Sequence, residues 1–193
     1  MSIKILLVDV GGVLLTNGWD TPLRNLVAAH YLLDPTEMQK RHEEVFDDFE
    51  CGRCSFDEYL QHVVFFKLRS FTLAEFKEFV FALSKEYPKT IVRIKALKDH
   101  HQAKLVLLSN EGREIAEYRF NKFKFHDYVD FSIVSGFVGF RKPDPRMYQL
   151  ALDLCQEDPK NILYIDDRAH YFTVAKTFGL RTAHVDSTLW IFF

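Results

Sequence analysis

The chain has 193 residues, of which 48% are hydrophobic, 15% aromatic and 27% charged, and its formal net charge is −2. This length predicts one domain, or one domain with a modest insertion, and the aromatic content argues against a disordered chain. Because 25 basic residues are balanced by 27 acidic ones, the chain lacks the basic excess that nucleic-acid binding needs.

The apolar segment at the start of the chain predicts a buried strand. Residues Ile3–Val8 are mostly branched and apolar, and Asp9 ends the run just before Gly11 and Gly12. Such a run, followed by a tight loop, is typical of a parallel sheet. Asp9 and the lack of a small-residue cleavage site argue against a signal peptide. Since no run of about 18 apolar residues could span a membrane, and the three cysteines fit reduced thiols, we expect a cytoplasmic protein.

The next part of the chain, residues 17–85, predicts helices only. Ser55 and Thr72 are typical helix N-caps, each with a glutamate three residues later, and Pro35 suits the first turn of a helix. The predicted helices are Thr21–Tyr31, Pro35–Phe49, Ser55–Leu68 and Thr72–Ser84. We therefore expect a four-helix insertion after the first strand.

Beyond residue 85, strands and helices alternate. The predicted strands are Lys104–Leu108, Phe131–Val134, Asn161–Ile165 and Arg181–Val185. The predicted helices are Ile91–His101, Arg113–Lys122, Asp144–Cys155 and Ala169–Phe178. This alternation is typical of an α/β fold, here a Rossmann-like, three-layer core with a parallel sheet. We expect residues 1–16 and 86–193 to form that core and 17–85 the helical insertion, with Leu189–Phe193 on the edge of the core or in a dimer contact.

Polar residues follow the predicted strands. In open α/β sheets, ligands bind beyond the carboxyl ends of the strands. The residues that stand there are Asp9, Ser109, Asn110, Lys142, Asp166 and Asp167. Carboxylates so close together repel one another unless a cation lies between them, and Mg²⁺ is the hard cation that prefers oxygen ligands. A lysine and a hydroxyl facing that metal suit a phosphate group.

The segments that carry these residues resemble the four motifs of the haloacid dehalogenase-like hydrolases. In chain order the segments are Asp9–Leu14, Leu107–Asn110, Lys142–Pro145 with Tyr148, and Ile165–Ala175. The resemblance covers nearly the whole chain, and the helical insertion matches the α-helical cap that one subfamily carries between motifs one and two. Within that family, the sequence resembles the sugar-phosphatase-like group that includes α-D-glucose-1-phosphate phosphatase.

The resemblance implies a Mg²⁺-dependent phosphatase of small phosphorylated metabolites, with sugar phosphates as the expected class. Asp9 would attack phosphorus and form an aspartyl-phosphate, which water then hydrolyses. The implied metal ligands are Asp9, the backbone carbonyl of Gly11, Asp167 and, directly or through water, Asp166. The implied phosphate-binding groups are Ser109, the backbone N–H of Asn110, and Lys142, of which Ser109 and Lys142 would also stabilise the transition state.

Two positions depart from the family pattern. Gly11 replaces the aspartate that usually protonates the leaving group, and Tyr171 replaces an Asp or Asn that is common later in the fourth motif. The missing acid predicts a rate that depends steeply on the pKa of the leaving group. That dependence would be flat if Asp166, Glu111 or a residue of the insertion such as Glu50 supplied the proton.

Two rival functions stay open. A 2-haloacid dehalogenase would share the nucleophile and the cap but would need no Mg²⁺, and the pair Asp166-Asp167 argues against it. A phosphate-binding or regulatory protein with weakened catalysis is favoured by Gly11 and Tyr171. Further candidates for substrate contact are Trp19, Asp20 and Arg24. In each case we expect a small-molecule ligand, neither nucleic acid nor a membrane as partner, and a monomer or homodimer.

Overall fold

A sheet of five parallel strands forms the centre of the structure, a computed structural model that describes residues 2–185. The strands are β1 (Ile5–Val8), β2 (Lys104–Ser109), β3 (Phe131–Val134), β4 (Ile162–Asp166) and β5 (Arg181–His184). Their order across the sheet is β3-β2-β1-β4-β5, which places β1 in the middle. The predicted packing of Leu189–Phe193 lies outside the described residues.

Helices occupy the connections between the strands. The first connection carries α1 (Thr21–His30), α2 (Pro35–Glu50), α3 (Phe56–Val63), α4 (Leu73–Ala82) and α5 (Pro88–His101). The later connections carry α6 (Arg113–Lys122), α7 (Ser135–Val138), α8 (Pro145–Cys155) and α9 (Tyr171–Thr177). Two short 3₁₀ turns, Phe125–Asp127 and Pro159–Asn161, precede β3 and β4. The predicted α/β fold with a helical insertion after the first strand is confirmed.

The sheet is covered on both faces, because successive side chains of each strand point to opposite sides. Leu6 and Val8 of β1 belong to an apolar cluster that includes Ile94 of α5. Ile5 and Leu7 belong to a second cluster, which includes Met147 of α8. These two clusters give the three layers that the sequence predicts, and they explain why the strands are apolar throughout.

A third apolar cluster fills the helical insertion and joins it to the sheet. It is rich in aromatic side chains, with Phe49, Phe56 and Phe76 all buried, and it also contains Ile115 of α6. The backbone N–H of Phe56, in α3, donates to the carboxylate of Glu114, in α6, at 2.9 Å. The insertion is therefore packed against the connection that follows β2.

The ends of the helices follow their capping residues. Ser55 and Thr72 both form complete capping boxes, as predicted. Helix α3 ends at Val63, five residues earlier than predicted, and the Arg69 guanidinium donates to the carbonyl of Val64 at 2.7 Å. The sequence does not predict α7, which is a single turn. Among the described residues, no helix has the length and apolar character that crossing a membrane requires.

The register of the sheet determines which residues meet at its carboxyl edge. Val8 pairs with Leu107 of β2 and with Ile165 of β4. The next residue, Asp9, donates its backbone N–H to the carbonyl of Ile165 at 2.9 Å. Asp9 and Asp166 therefore end neighbouring strands at the same level.

Candidate active site

Three carboxylates meet at the ends of β1 and β4. One carboxylate oxygen from each of Asp9, Asp166 and Asp167 lies within 4.8 Å of the other two. Asp9 and Asp166 are buried, and the Oδ1 atom of Asp167 is buried without a hydrogen-bond partner. Carboxylate oxygens in this arrangement form a donor set that suits Mg²⁺, and a dication would offset their mutual repulsion. The residues present therefore fit the metal that the sequence predicts.

Lys142 lies beside this carboxylate cluster and is completely buried. Its Nζ is 2.7 Å from Oδ2 of Asp166 and 3.1 Å from Oδ1 of Asp9. The side-chain amide of Asn110 holds the lysine backbone at two points: it accepts from the Lys142 N–H at 2.7 Å and donates to the Lys142 carbonyl at 2.8 Å. The loop after β3 is thereby fixed to the end of β2, which brings the lysine into the cluster.

The electrostatics of the cluster depend on the balance of its charges. Burial raises the pKa of Asp9 to about 7, Lys142 opposes the rise, and Asp166 and Asp167 add to it. Burial alone would lower the pKa of Lys142, but the Asp9 and Asp166 carboxylates outweigh it and hold that pKa above its usual value. Burial and then Asp166 raise the pKa of Asp167. One lysine thus compensates only part of the negative charge of the three carboxylates, and the remaining negative charge favours the binding of a cation.

Asp166 is engaged on both oxygens. Its Oδ2 accepts from Lys142 and from the hydroxyl of Tyr164. Its Oδ1 accepts from the backbone N–H of Arg168 at 2.8 Å. The Asp166 carboxylate thus accepts from one charged side chain and from two further donors.

Gly12 makes the position of Asp167 possible. Its φ of +75° is in the left-handed region, and a Cβ placed on it would collide with the Oδ2 atom of Asp167. Gly139 has a similar φ of +85°, but a Cβ there would meet nothing within 4 Å. The two glycines share the backbone requirement and differ in the contact with the carboxylate.

Replacing Gly12 with alanine is therefore expected to weaken Mg²⁺ binding by roughly 10–100-fold, the range found when the surroundings of a metal ligand are disturbed. Gly139→Ala serves as the control, because it carries the same backbone strain without displacing Asp167. Titration calorimetry with Mg²⁺ measures both variants. Equal Mg²⁺ affinity in the two would contradict the assignment of Asp167 as a ligand.

A cavity of about 200 Å³ opens beside the carboxylate cluster. The core contributes Asp9, Asn110 and Lys142 to its wall, as the sequence predicts. Ser109 is almost fully buried at the end of β2 and is not part of this wall. Tyr171 does line the cavity, where its hydroxyl accepts from the Asn110 side-chain amide at 3.3 Å and from Arg168 at 3.4 Å. Tyr171 thus contacts two residues of the cavity wall.

The helical insertion closes the cavity with one face of α2. His42, Phe46 and Glu50 follow one another at intervals of four residues, so they lie on the same side of the helix, and all three line the cavity. Of these three residues, the sequence indicates Glu50 as a candidate but not His42. The four-residue spacing could have indicated His42, but α2 carries several sets of residues with that spacing. Only packing decides which set faces the cavity.

A chain of hydrogen bonds positions the ring of His42. Trp19 donates its indole N–H to the hydroxyl of Tyr59 at 2.7 Å, and that hydroxyl lies 2.7 Å from Nδ1 of His42. Burial, with Arg24 and Arg141, lowers the pKa of His42 to about 3, so the imidazole is neutral.

Two arginines of the cavity wall differ in their partners. Arg24 is buried and donates to the side chains of Gln39 and Thr21 and to the carbonyl of Trp19, all of them neutral groups. Arg119 is also buried, but it forms an ion pair with Glu111, which the sequence suggests only as a possible acid. Arg119 therefore has a charged partner, whereas the hydrogen bonds of Arg24 go to neutral groups.

Comparison with known proteins gives one family-level match. A model of the haloacid dehalogenase-like hydrolases matches residues 3–179. D-ribitol-5-phosphate phosphatase from Bacteroides thetaiotaomicron is 23% identical over 189 residues, 93% of this chain and 90% of the relative. Two longer curated relatives are matched over only 11% and 33% of their own lengths, so the chain spans less than two thirds of them.

Solved structures share the fold at low sequence identity. A HAD family enzyme from Bacteroides thetaiotaomicron, in complex with magnesium and inorganic phosphate, has a TM-score of 0.77 and 21% identity, with 96% of each chain covered. L-2-haloacid dehalogenase from Xanthobacter autotrophicus has a TM-score of 0.65 and 18% identity, covering 95% of this chain and 77% of the other. At these identities the likeness concerns the fold alone.

Proposed function

Because the chain belongs to the haloacid dehalogenase-like hydrolases, we propose that it is a Mg²⁺-dependent phosphatase of small phosphorylated metabolites. The expected substrates are sugar phosphates and the related polyol phosphates. This class is supported by the relative that acts on D-ribitol 5-phosphate and by a cavity of about 200 Å³ with a polar wall.

The observation that carries the proposal is the cluster of three carboxylates beside a buried lysine. Asp9 and Asp167, with the backbone carbonyl of Gly11, would hold Mg²⁺, and Asp166 would assist directly or through water. When bound, the metal would neutralise charge on the phosphoryl group and on the carboxylates. A solved member of the family fold binds magnesium and phosphate together.

Residues of the chain itself would carry out the other steps of the reaction. Lys142 favours the ionised form of Asp9, since its Nζ is 3.1 Å from Oδ1 of that carboxylate, and an ionised Asp9 can attack phosphorus to form an aspartyl-phosphate. Lys142 and the backbone N–H of Asn110, both in the cavity wall, would bind the phosphoryl oxygens and stabilise the transition state. The hydroxyl of Ser109, which is buried behind this wall at the end of β2, would join them once the substrate is bound. Water then hydrolyses the aspartyl-phosphate and releases Asp9.

The helical insertion would select the substrate. In this proposal residues 1–16 and 86–193 form the hydrolase core, and residues 17–85 form the cap. Because the insertion supplies Arg24, His42 and Glu50 to the cavity wall, its side chains would contact the part of the substrate beyond the phosphoryl group. A cytoplasmic location stays a prediction.

Dehalogenation is the second candidate, since a haloacid dehalogenase shares this fold. It needs the aspartate nucleophile but no metal. The unpartnered, buried Oδ1 atom of Asp167 favours the phosphatase, because a metal ligand has a reason to lack a hydrogen bond and a structural carboxylate has none.

Removal of Mg²⁺ is expected to lower turnover of 4-nitrophenyl phosphate and of the best sugar phosphate by roughly 100-fold or more, a loss of about 3 kcal/mol of transition-state stabilisation. The measurement compares protein treated with EDTA, before and after Mg²⁺ is restored. The same preparations are assayed for halide release from 2-chloropropionate. If EDTA-treated protein keeps its full rate, or releases halide instead of phosphate, the phosphatase proposal is wrong.

A further inference from the structure

Tyr171 departs from the family pattern, and the proposed mechanism gives it no role. It stands where an Asp or Asn is common in related sequences, as the first residue of α9, and its side chain is buried. Nζ of Lys142 is 5.1 Å from the centroid of its ring, and Tyr171 lines the same cavity as Asp9. The tyrosine therefore belongs to the part of the wall that a bound phosphoryl group would face.

The side-chain amide of Asn110 has only one possible orientation. Its Oδ1 accepts from the backbone N–H of Lys142 at 2.7 Å, and its Nδ2 donates to the backbone carbonyl of the same residue at 2.8 Å. Because a backbone N–H only donates and a carbonyl only accepts, the two ends of the amide cannot be exchanged. The Asn110 atom that lies 3.3 Å from the Tyr171 hydroxyl is therefore Nδ2, which can only donate.

The other neighbour of the Tyr171 hydroxyl is also an obligatory donor. Nη1 of Arg168 lies 3.4 Å from it, and a guanidinium group has no acceptor atom. The phenolic oxygen thus accepts on two sides, and within residues 2–185 no group accepts its proton in a hydrogen bond. Since buried polar groups normally find a partner, this unused proton in the wall of a cavity points to an acceptor on the ligand.

The surroundings of this proton favour an anionic acceptor. Lys142 and Arg168 are cations close to Tyr171, and Asn110 carries the backbone N–H that the proposed mechanism assigns to the phosphoryl group. Hydrogen bonds to a charged acceptor are roughly twice as strong as those between neutral groups. A phosphoryl oxygen therefore suits this position better than a sugar hydroxyl. Burial raises the pKa of Tyr171, so the phenol keeps its proton at neutral pH.

We propose that Tyr171 is a phosphate-binding residue, whose hydroxyl donates to a non-bridging phosphoryl oxygen of the substrate. This inference rests on the proposed phosphatase function and adds a binding group to it. The hydroxyl would act beside Lys142 and the backbone N–H of Asn110, while Arg168 and the Asn110 side chain hold it in place. Its contact is with the phosphoryl group, which all substrates share, and not with the leaving group.

The test compares wild type with Tyr171→Phe, which removes the hydroxyl and keeps the ring. Tyr128→Phe is the matched control, because the Tyr128 hydroxyl is also buried but lies outside the cavity wall. Calorimetry measures the binding of inorganic phosphate to each Mg²⁺-loaded protein and, separately, the binding of Mg²⁺ without phosphate. Kinetic assays give kcat/KM for 4-nitrophenyl phosphate and for phenyl phosphate, and thermal melting confirms that each protein is folded.

For Tyr171→Phe we expect inorganic phosphate to bind about 10–100-fold more weakly, the usual effect of losing a hydrogen bond to a charged group. The value of kcat/KM should fall by a similar factor with both esters, because both carry the same phosphoryl group. The affinity for Mg²⁺ alone should equal that of wild type, since the hydroxyl is not a metal ligand in this proposal. Tyr128→Phe should match wild type in every measurement.

The inference fails if an active wild type and Tyr171→Phe bind phosphate equally well. A loss of kcat/KM confined to one ester would place the contact at the leaving group, which also contradicts it. If the affinity for Mg²⁺ alone falls as much as that for phosphate, Tyr171 acts by holding other residues of the site in position. A wild type that hydrolyses neither ester would overturn the proposed function and, with it, this inference.

Discussion

Replacing Asp9 with asparagine is expected to abolish steady-state turnover of every phosphate ester, with a loss of at least about 10⁴-fold, as for nucleophile replacements in general. An amide is a poor nucleophile and a poor ligand for a hard cation. The fold should survive, because Lys142 keeps its contact with Asp166 at 2.7 Å and the buried cluster loses one negative charge. The melting temperature of Asp9→Asn is therefore expected to equal or exceed that of wild type.

The measurement is phosphate release by purified Asp9→Asn with saturating Mg²⁺. Asp153→Asn, the same substitution on an exposed turn of α8, is the control for handling and for contaminating phosphatases. Activity retained in the Asp9 variant above the contamination level would refute the aspartyl-phosphate mechanism. Loss of activity together with loss of the folded state would leave Asp9 a structural residue.

Replacing Lys142 with methionine is expected to cost about 3–5 kcal/mol of unfolding free energy in metal-free protein, the usual effect of removing one partner from a buried ion pair. Lys142 is completely buried, and the variant leaves Asp9 and Asp166 facing each other without a cation. Adding Asp166→Asn to this variant removes one of those charges and should recover much of the loss. Mg²⁺ should also stabilise Lys142→Met more than it stabilises wild type, because it restores a positive charge to the cluster.

Urea unfolding in EDTA and in Mg²⁺ measures these differences. Lys67→Met is the control, because Lys67 pairs with Glu37 at 3.1 Å on the surface, where such a pair contributes only about 0–1 kcal/mol. If Lys142→Met is no less stable than Lys67→Met, the buried lysine does not hold the carboxylates together, and the charge balance described for the site is wrong.

The core of the site could be predicted because it depends on local pattern and on one rule of topology. Apolar runs that end in polar residues mark the ends of parallel strands, and such ends lie at the same edge of a sheet. Asp9 and Asp166 therefore come together whatever the details of packing, and the register that pairs Val8 with Ile165 confirms it. The starts of helices could also be predicted, since the capping boxes at Ser55 and Thr72 involve only neighbours in sequence.

Other features depend on contacts between distant parts of the chain. Asn110 is predicted as a phosphate-binding residue through its backbone, but its side chain also holds Lys142 in place, 32 residues away. The ion pair between Glu111 and Arg119 lies within one stretch of sequence, yet its burial follows from the packing of α6 under the helical insertion. A sequence pattern cannot reveal such roles, because both residue types are common on exposed helices and loops.

The sequence by itself determined the fold, the order of the motifs and the residues at the strand ends, because hydrophobic periodicity and capping act over a few residues. Only the tertiary structure decided which face of α2 closes the cavity. Phe49 of α2 and Ile115 of α6 belong to one apolar cluster, and Arg141 of the core binds Asp47 and Glu50 of α2. These long-range contacts set the rotation of the helix. The position of Glu50 in the cavity wall is a consequence of that rotation, which no local pattern encodes.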